Sequence, residues 1–350
     1  MDAGDGFDVN EYLPSNDRDG KAPLQLRYNE NPLGPSPRAI EAVRTYVNRM
    51  HRYPGDPIRA LSRALADRWD INRSQVVLGP GAVGVIDTFS RAMLDPGERI
   101  LRPDPGFGYF AHSAHAHGGG DSTYPLRKED DFQADPAAIL EAYDGQPLIY
   151  LNTPHNPTGA TISLETIEAV ADGIDDDSLV IVDEAYGPFS TQPSAIDLVS
   201  SRDNVAVLRT FSKSDGLAGM RVGYALVPKV VAEQYADVRT TFSVSALSCI
   251  AALAALGDTE HREHSVSVAR KSRRYMHEHI EAPTWPSEGN FVLVEVPDAD
   301  EVSNALEAEG ILVRSGDTMG LPSMIRVTVG TPEQTRHVVN VINRVIESCA

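Results

Sequence analysis

Two hydrophobic rhythms run along this chain. Short apolar runs of strand length occur at Gln75–Leu78, Arg99–Arg102, Ser122–Pro125, Leu148–Leu151, Leu179–Asp183, Val205–Thr210 and Arg221–Leu226. Between them, apolar residues recur every three or four positions over Val83–Met93, Pro136–Ala142 and Leu164–Asp172, the spacing of one helical face. Strands interleaved with helices predict an α/β architecture with a mixed, mostly parallel sheet. Upstream, Ser36 caps a predicted helix running to about Met50, with Pro37 in its first turn. Another helix is predicted over Ile58–Trp69, where Leu61, Leu65 and Trp69 share a face.

After residue 245 the rhythm changes. Ala246–Leu256 and Arg270–Ile280 read as long helices. Beyond Pro286 come a strand (Phe291–Val296), a helix (Ala299–Ala308), two strands (Ile311–Arg314 and Ile325–Val329) and a helix (Pro332–Glu347). A chain of 350 residues exceeds what one core usually serves. The expected organisation is an N-terminal arm and loop over residues 1–35, a large domain over 36–245 and a smaller α+β domain over 246–350.

Composition narrows the partners. The net charge of −19 repels nucleic acid and anionic membrane, and no apolar run reaches the length of a membrane span. The first twenty residues are polar and acidic, unlike a secretory leader, and the only cysteines are Cys249 and Cys349. Neither a disulfide framework nor a metal site is expected, and the chain reads as cytoplasmic. Of 31 basic residues only five are lysines: Lys21, Lys128, Lys213, Lys229 and Lys271. Abundant acid with scarce lysine suggests a surface adapted to concentrated salt. It also leaves few positions for a catalytic amine.

One of those lysines stands in unusual company. The run Leu208-Arg209-Thr210-Phe211-Ser212-Lys213-Ser214-Asp215-Gly216-Leu217-Ala218-Gly219-Met220-Arg221 carries a strand straight into hydroxyls, an amine, glycines and a guanidinium. Thr210, Ser212 and Arg221 suit a phosphate dianion, and a lysine beside other cations can act as a nucleophilic amine. A P-loop is excluded, because no glycine precedes Lys213 at the required spacing. The apolar run Leu179–Val182 ends in Asp183-Glu184-Ala185-Tyr186, placing a carboxylate at the carboxyl edge of the sheet. Leu151-Asn152-Thr153-Pro154-His155-Asn156-Pro157-Thr158-Gly159 fixes the Asn156 amide in a proline-bounded turn. Gly79-Pro80-Gly81-Ala82-Val83-Gly84 leads from a strand into a helix whose free N–H groups could hold a phosphate, and Phe107 offers a ring to stack on.

Together these segments resemble the fold-type I pyridoxal-phosphate (PLP) enzymes, aminotransferase class I/II, and are most similar to histidinol-phosphate aminotransferases. The resemblance covers nearly the whole chain. It implies a PLP-transferase type I large domain, bound PLP, and covalent attachment of PLP to Lys213, which then moves a proton between Cα and C4′. It implies that Asp183 faces the pyridine nitrogen and that Asn156 and Tyr186 contact O3′. Ala82 and Val83 (through main-chain N–H groups), Thr210, Ser212 and Arg221 would bind the phosphate. Arg52-Tyr53-Pro54 implies that Tyr53 reaches the phosphate in a neighbouring subunit, hence a homodimer with shared sites. Tyr12, Asn29 and Asn156 would lie near substrate, with Arg326 as the α-carboxylate clamp and Arg314 close by.

Departures from the family pattern are local. Gly79–Gly84 lacks two usual acidic side chains, Phe107 replaces a tyrosine, and His155 stands where another asparagine is common. The expected reaction is amino transfer between an amino acid, glutamate with 2-oxoglutarate, and imidazole-acetol phosphate. Two rival activities are threonine-phosphate decarboxylation, suggested by Pro105-Gly106-Phe107 and Ser243–Leu247, and transfer to aromatic or other amino acids. A non-catalytic PLP-binding protein is disfavoured by Lys213, Asp183 and Arg326.

Overall fold

A computed structural model describes residues 23–349. Its strands, in chain order, are β1 (Leu24–Gln25), β2 (Val76–Gly79), β3 (Arg99–Asp104), β4 (Gly120–Pro125), β5 (Leu148–Asn152), β6 (Leu179–Asp183), β7 (Val205–Thr210) and β8 (Gly223–Leu226). They continue with β9 (Phe291–Glu295), β10 (Ile311–Leu312), β11 (Arg314–Ser315) and β12 (Met324–Thr328). The principal sheet has seven strands in the order β2-β8-β7-β6-β5-β3-β4. Only β8 runs antiparallel to its neighbours, so the sheet is mixed and mostly parallel.

Both faces of this sheet are covered, which is why β5 and β6 are buried at every position and carry no polar alternation. One core contains Leu61, Leu65, Leu151, Val182 and Val207, and another contains Val85, Phe89, Tyr150, Ile181 and Leu208. In the smaller lobe, β11-β12-β9 forms an antiparallel sheet against the helix Pro332–Cys349, whose inward residues include Val338, Ile342 and Val345.

Several elements differ from the sequence expectation. The helix Ala246–Leu256, expected in the smaller domain, packs Cys249, Ala252 and Ala255 into the core of the large one. Its small residues let it lie close to the helices Pro37–Tyr46 and Gly55–Trp69. The helix expected to start at Arg270 begins eleven residues earlier, at Thr259, where the Asp258 side chain accepts from His261 N–H. At the other end, β1 pairs with β10, so the segment entering the large lobe is first tied to the small one. Ile311–Arg314 is not one strand, because β10 joins β1 while β11 turns to pair with β12. Helices at Tyr109–Ala116, Ile196–Ser201 and Lys229–Val238 were not predicted.

Candidate active site

The parallel strands deliver their carboxyl ends to one place. Asn152 ends β5 opposite Asp183, which ends β6, and Thr210 ends β7. Asn152 Nδ2 donates to the Asp183 carbonyl (3.0 Å), and its Oδ1 accepts from the Asn156 N–H (2.7 Å). One amide therefore locks the neighbouring turn to the sheet. His155, in that turn, is buried and shares a hydrogen bond with Thr158 Oγ1 through Nδ1 (2.8 Å). Burial lowers its pKa to about 3, opposed by the Pro105 carbonyl, so this imidazole is neutral.

The Asp183 carboxyl is 4 % exposed, and burial pushes its pKa up to about 7. The Ala185 N–H, 2.9 Å away, opposes the shift, Glu184 reinforces it, and Lys213 opposes it again. Behind it, Glu184 forms a buried ion pair with Arg209 and accepts from Ser194 Oγ (2.7 Å) and the Ala195 N–H (2.7 Å). Sequence reasoning assigned Arg209 no part. Its signal was a charged residue inside an otherwise apolar strand.

Lys213 Nζ donates to the Tyr28 carbonyl (2.8 Å) and lies 5.5 Å from the centre of the Tyr186 ring. Tyr186 Oη accepts from Asn29 Nδ2 (2.9 Å). Asn29 is buried with a left-handed backbone (φ 54°), and Thr328 Oγ1 bridges its N–H and Oδ1 at 3.0 Å each. The following residues pin the lysine turn: Asn31 Nδ2 donates to the Ser214 carbonyl (3.0 Å), and Gly34 sits so close to Gly216 that no Cβ fits there. Asn31 is a second contributor that sequence reasoning left without a role.

In the same cavity is a candidate anion cradle. The helix Gly81–Met93 starts without a side-chain cap, leaving main-chain N–H groups of Ala82 and Val83 at the cavity wall. Gly81 has φ +77°, and a Cβ there would collide with the Arg221 guanidinium. Arg221 is not in a strand as expected. It takes a left-handed conformation (φ 48°) that turns its side chain back, with Nη1 donating to the Ala218 carbonyl (2.7 Å). Ser212 completes the cradle, its N–H donating to Thr210 Oγ1 (3.1 Å) and its Oγ accepting from that hydroxyl (3.0 Å).

The smaller lobe supplies the far wall. Arg326 on β12 donates through Nη1 to Asn156 Oδ1 and through Nη2 to the Arg27 carbonyl. An arginine accepts nothing, so the oxygen of the Asn156 amide faces it and the Nδ2 group is turned the other way. Arg314 pairs with Arg326 across β11–β12; burial lowers the Arg326 pKa, Tyr186 opposes this, and Arg314 adds to it. Phe107 closes a third side, edge-on to Phe110 at 5.5 Å.

Lys213, Asp183, Tyr186, Asn29, Asn152, Asn156, Thr210, Ser212, Arg221, Phe107, Arg314 and Arg326 line one cavity of about 740 Å³. Of the residues expected at the site, it gathers Asn29, Ala82, Val83, Phe107, Asn156, Asp183, Tyr186, Thr210, Ser212, Lys213, Arg221, Arg314 and Arg326. Tyr53 is elsewhere: 83 % exposed, it stacks on Phe242 (5.2 Å) outside the cavity. Tyr12 lies outside the described residues. The cavity also exposes Arg27, Tyr109, His112 and Asn152, which the sequence did not single out.

The donor set fits PLP. Among the described residues, the buried Asp183 carboxyl with its raised pKa forms no ion pair, and a pyridinium nitrogen suits that place. An uncapped helix start beside a guanidinium suits a phosphate dianion, and an amine lines the same cavity. The family model for aminotransferase class I and II matches residues 21–342. The chain belongs to the class I and II aminotransferase family.

Within this family, the chain is 50% identical over 322 residues to the histidinol-phosphate aminotransferase of Haloferax volcanii, covering 92% of this chain and 89% of that protein. It is 38% identical to that of Methanosarcina mazei, covering 95% and 93% of the two chains. The crystal structure of histidinol-phosphate aminotransferase from Sinorhizobium meliloti in complex with pyridoxal-5′-phosphate superimposes with a TM-score of 0.86 at 25% identity, covering 99% of each chain. Like other members of the family, this aminotransferase depends on PLP. Halophilic relatives accord with its charge of −19, and among the described residues no helix is long and apolar enough to cross a membrane.

Proposed function

We propose that this aminotransferase exchanges an amino group between glutamate and imidazole-acetol phosphate, giving 2-oxoglutarate and histidinol phosphate. The observation that carries the substrate assignment is the pair Arg326 and Arg314, facing across β11–β12 in the same cavity. Glutamate carries a carboxylate on Cα, whereas histidinol phosphate carries a phosphate ester one carbon away. A site serving both must bind a monoanion and a dianion in turn. One bidentate guanidinium satisfies the carboxylate, and a second alongside supplies the charge for the dianion. The likeness to histidinol-phosphate aminotransferases over most of the chain supports the same reading.

PLP, when bound, supplies the electron sink for the carbanion formed at Cα. Lys213 Nζ would hold the cofactor covalently, and its free amine would move the proton at the substrate Cα. The Tyr28 carbonyl and Tyr186 ring restrict where that amine can swing. Asp183 would keep the ring nitrogen protonated, Asn156 Nδ2 and Tyr186 Oη would hold O3′, and Phe107 would cover the ring. Ala82 and Val83 N–H, Thr210, Ser212 and Arg221 would grip the phosphate, and Asn29 orients Tyr186. Tyr53, remote from its own cavity, completes the site of a second subunit, so the working unit is a homodimer acting in the cytoplasm. Residues 36–256 form the cofactor-binding domain, with the smaller domain following.

The test is a half-reaction screen that follows loss of the bound cofactor's visible absorbance. Histidinol phosphate should react at least about a hundredfold faster, in kcat/KM, than phenylalanine, aspartate or threonine phosphate. A preference for phenylalanine or aspartate, or carbon dioxide release from threonine phosphate, overturns the assignment. Lys213→Ala should abolish transfer; full activity in that variant removes the mechanism.

A further inference from the structure

A second cleft, of about 650 Å³, shares Thr210 with the Lys213 cavity and no other lining residue. It lies between the end of the helix Gly55–Trp69, the end of β7 and one face of the helix Thr259–His279. The mechanism uses none of its side chains except Thr210.

Its charge is opposite to that of the protein as a whole. Six of its lining residues are Arg or Lys, against Asp215 and Glu263, in a chain whose net charge is −19. Two of the six are already matched: Arg209 pairs with Glu184, and Arg262 Nε with Asp215 (3.1 Å). Arg68, Arg270, Lys271 and Arg274 have no carboxylate within 4.0 Å among the described residues. Allowing for Glu263, an excess of three positive charges remains.

Two of those charges are held in place, while Lys271 and Arg274 are exposed on the long helix. Arg270 is anchored by main-chain carbonyls, Nε to Phe189 (3.1 Å) and Nη2 to Ser190 (2.7 Å). Arg68 lies over the Trp69 ring at 5.0 Å, and Arg209 is 5.3 Å from the same ring. Trp69 is fixed in turn by donating Nε1–H to Tyr224 Oη (3.1 Å). On the long helix, Arg270 and Lys271 each lie within one turn of Arg274, so like charges repel along a single face. An anion seated between them relieves that repulsion.

We infer that this cleft binds a small multivalent oxyanion, a phosphate ester or a polycarboxylate, at Arg68, Arg270, Lys271 and Arg274. The volume suits a compact metabolite rather than a macromolecule. Asp215 in the wall is two residues from Lys213, so the bound anion sits against the turn that carries the catalytic amine.

Calorimetry on the PLP-loaded enzyme at fixed ionic strength tests this, with pyrophosphate and citrate as separate probes and the double variant Lys271→Gln/Arg274→Gln as control. At least one probe should bind the wild type saturably, and the variant should weaken that binding roughly tenfold or more while its amino transfer is unchanged. Whichever probe binds more tightly assigns the anion's chemistry. Binding of neither probe, or equal binding by both proteins, overturns the inference. Probe captured at Arg314 and Arg326 is insensitive to the double variant and so counts as the second of these outcomes.

Discussion

Arg326, on the smaller lobe, donates a hydrogen bond to the Oδ1 atom of Asn156, 170 residues earlier on the large lobe. One contact thus joins the residue proposed to grip substrate to the residue proposed to hold O3′. It also sets which way the Asn156 amide faces.

A lysine at position 326 keeps the charge but cannot reach Asn156, the Arg27 carbonyl and a carboxylate together. Arg326→Lys should raise the KM for glutamate by roughly tenfold to a hundredfold, about 1.4–2.8 kcal/mol of lost binding. Steady-state kinetics check this, and an unchanged KM places the clamp elsewhere.

Asp183 carries a stability cost with a definite sign. Its pKa is raised from 3.8 to about 7 in the folded chain without cofactor. The unfolded chain therefore releases this proton more readily, and the cost grows as pH rises from about 4 to 7 and is full above that. Asp183→Asn should make the cofactor-free protein melt higher at pH 8, on the order of a few degrees. The same change should lower amino transfer at least about a hundredfold. Equal melting temperatures of the two apoproteins would sink the argument.

Gly81 is required by geometry rather than by flexibility. Its φ of +77° and the crowding of any Cβ against Arg221 mean that Gly81→Ala must displace the guanidinium. PLP affinity should fall roughly tenfold or more, measured by dialysis against free cofactor. Unaltered retention of PLP would show that Arg221 does not hold its phosphate.

His155 makes a prediction in acid. Its pKa falls from 6.5 to about 3 on burial, so between those values the unfolded chain binds a proton that the folded one refuses. Stability is therefore lost as pH falls below about 6.5, by up to about 1.4 kcal/mol per unit from this group. In His155→Asn the urea midpoint should drop less between pH 7 and pH 5. A parallel drop in both proteins assigns the acid sensitivity to other groups.

Much of the site was legible because its residues cluster at strand ends. Leu179–Asp183 was bounded correctly from its apolar run, since a strand buried on both faces leaves no polar position before its end, and Val205–Thr210 was bounded correctly despite Arg209 within it. Asp183, Thr210 and Lys213 followed from where those runs stop. Asn31 and Arg209 were not legible: their partners, Ser214 and Glu184, are 183 and 25 residues distant, and nothing local marks the pairing.

The sequence by itself determined the alternation of layers and singled out the candidate amine and carboxylate, because periodicity and strand termini are properties of consecutive residues. Only the tertiary structure decided that the helix Ala246–Leu256 belongs to the large core, that β1 crosses to β10, and that Arg221 turns back through a left-handed backbone. It alone placed Tyr53 outside the cavity. Each of these depends on which distant surface an element meets, and neither hydrophobic period nor residue type carries that information.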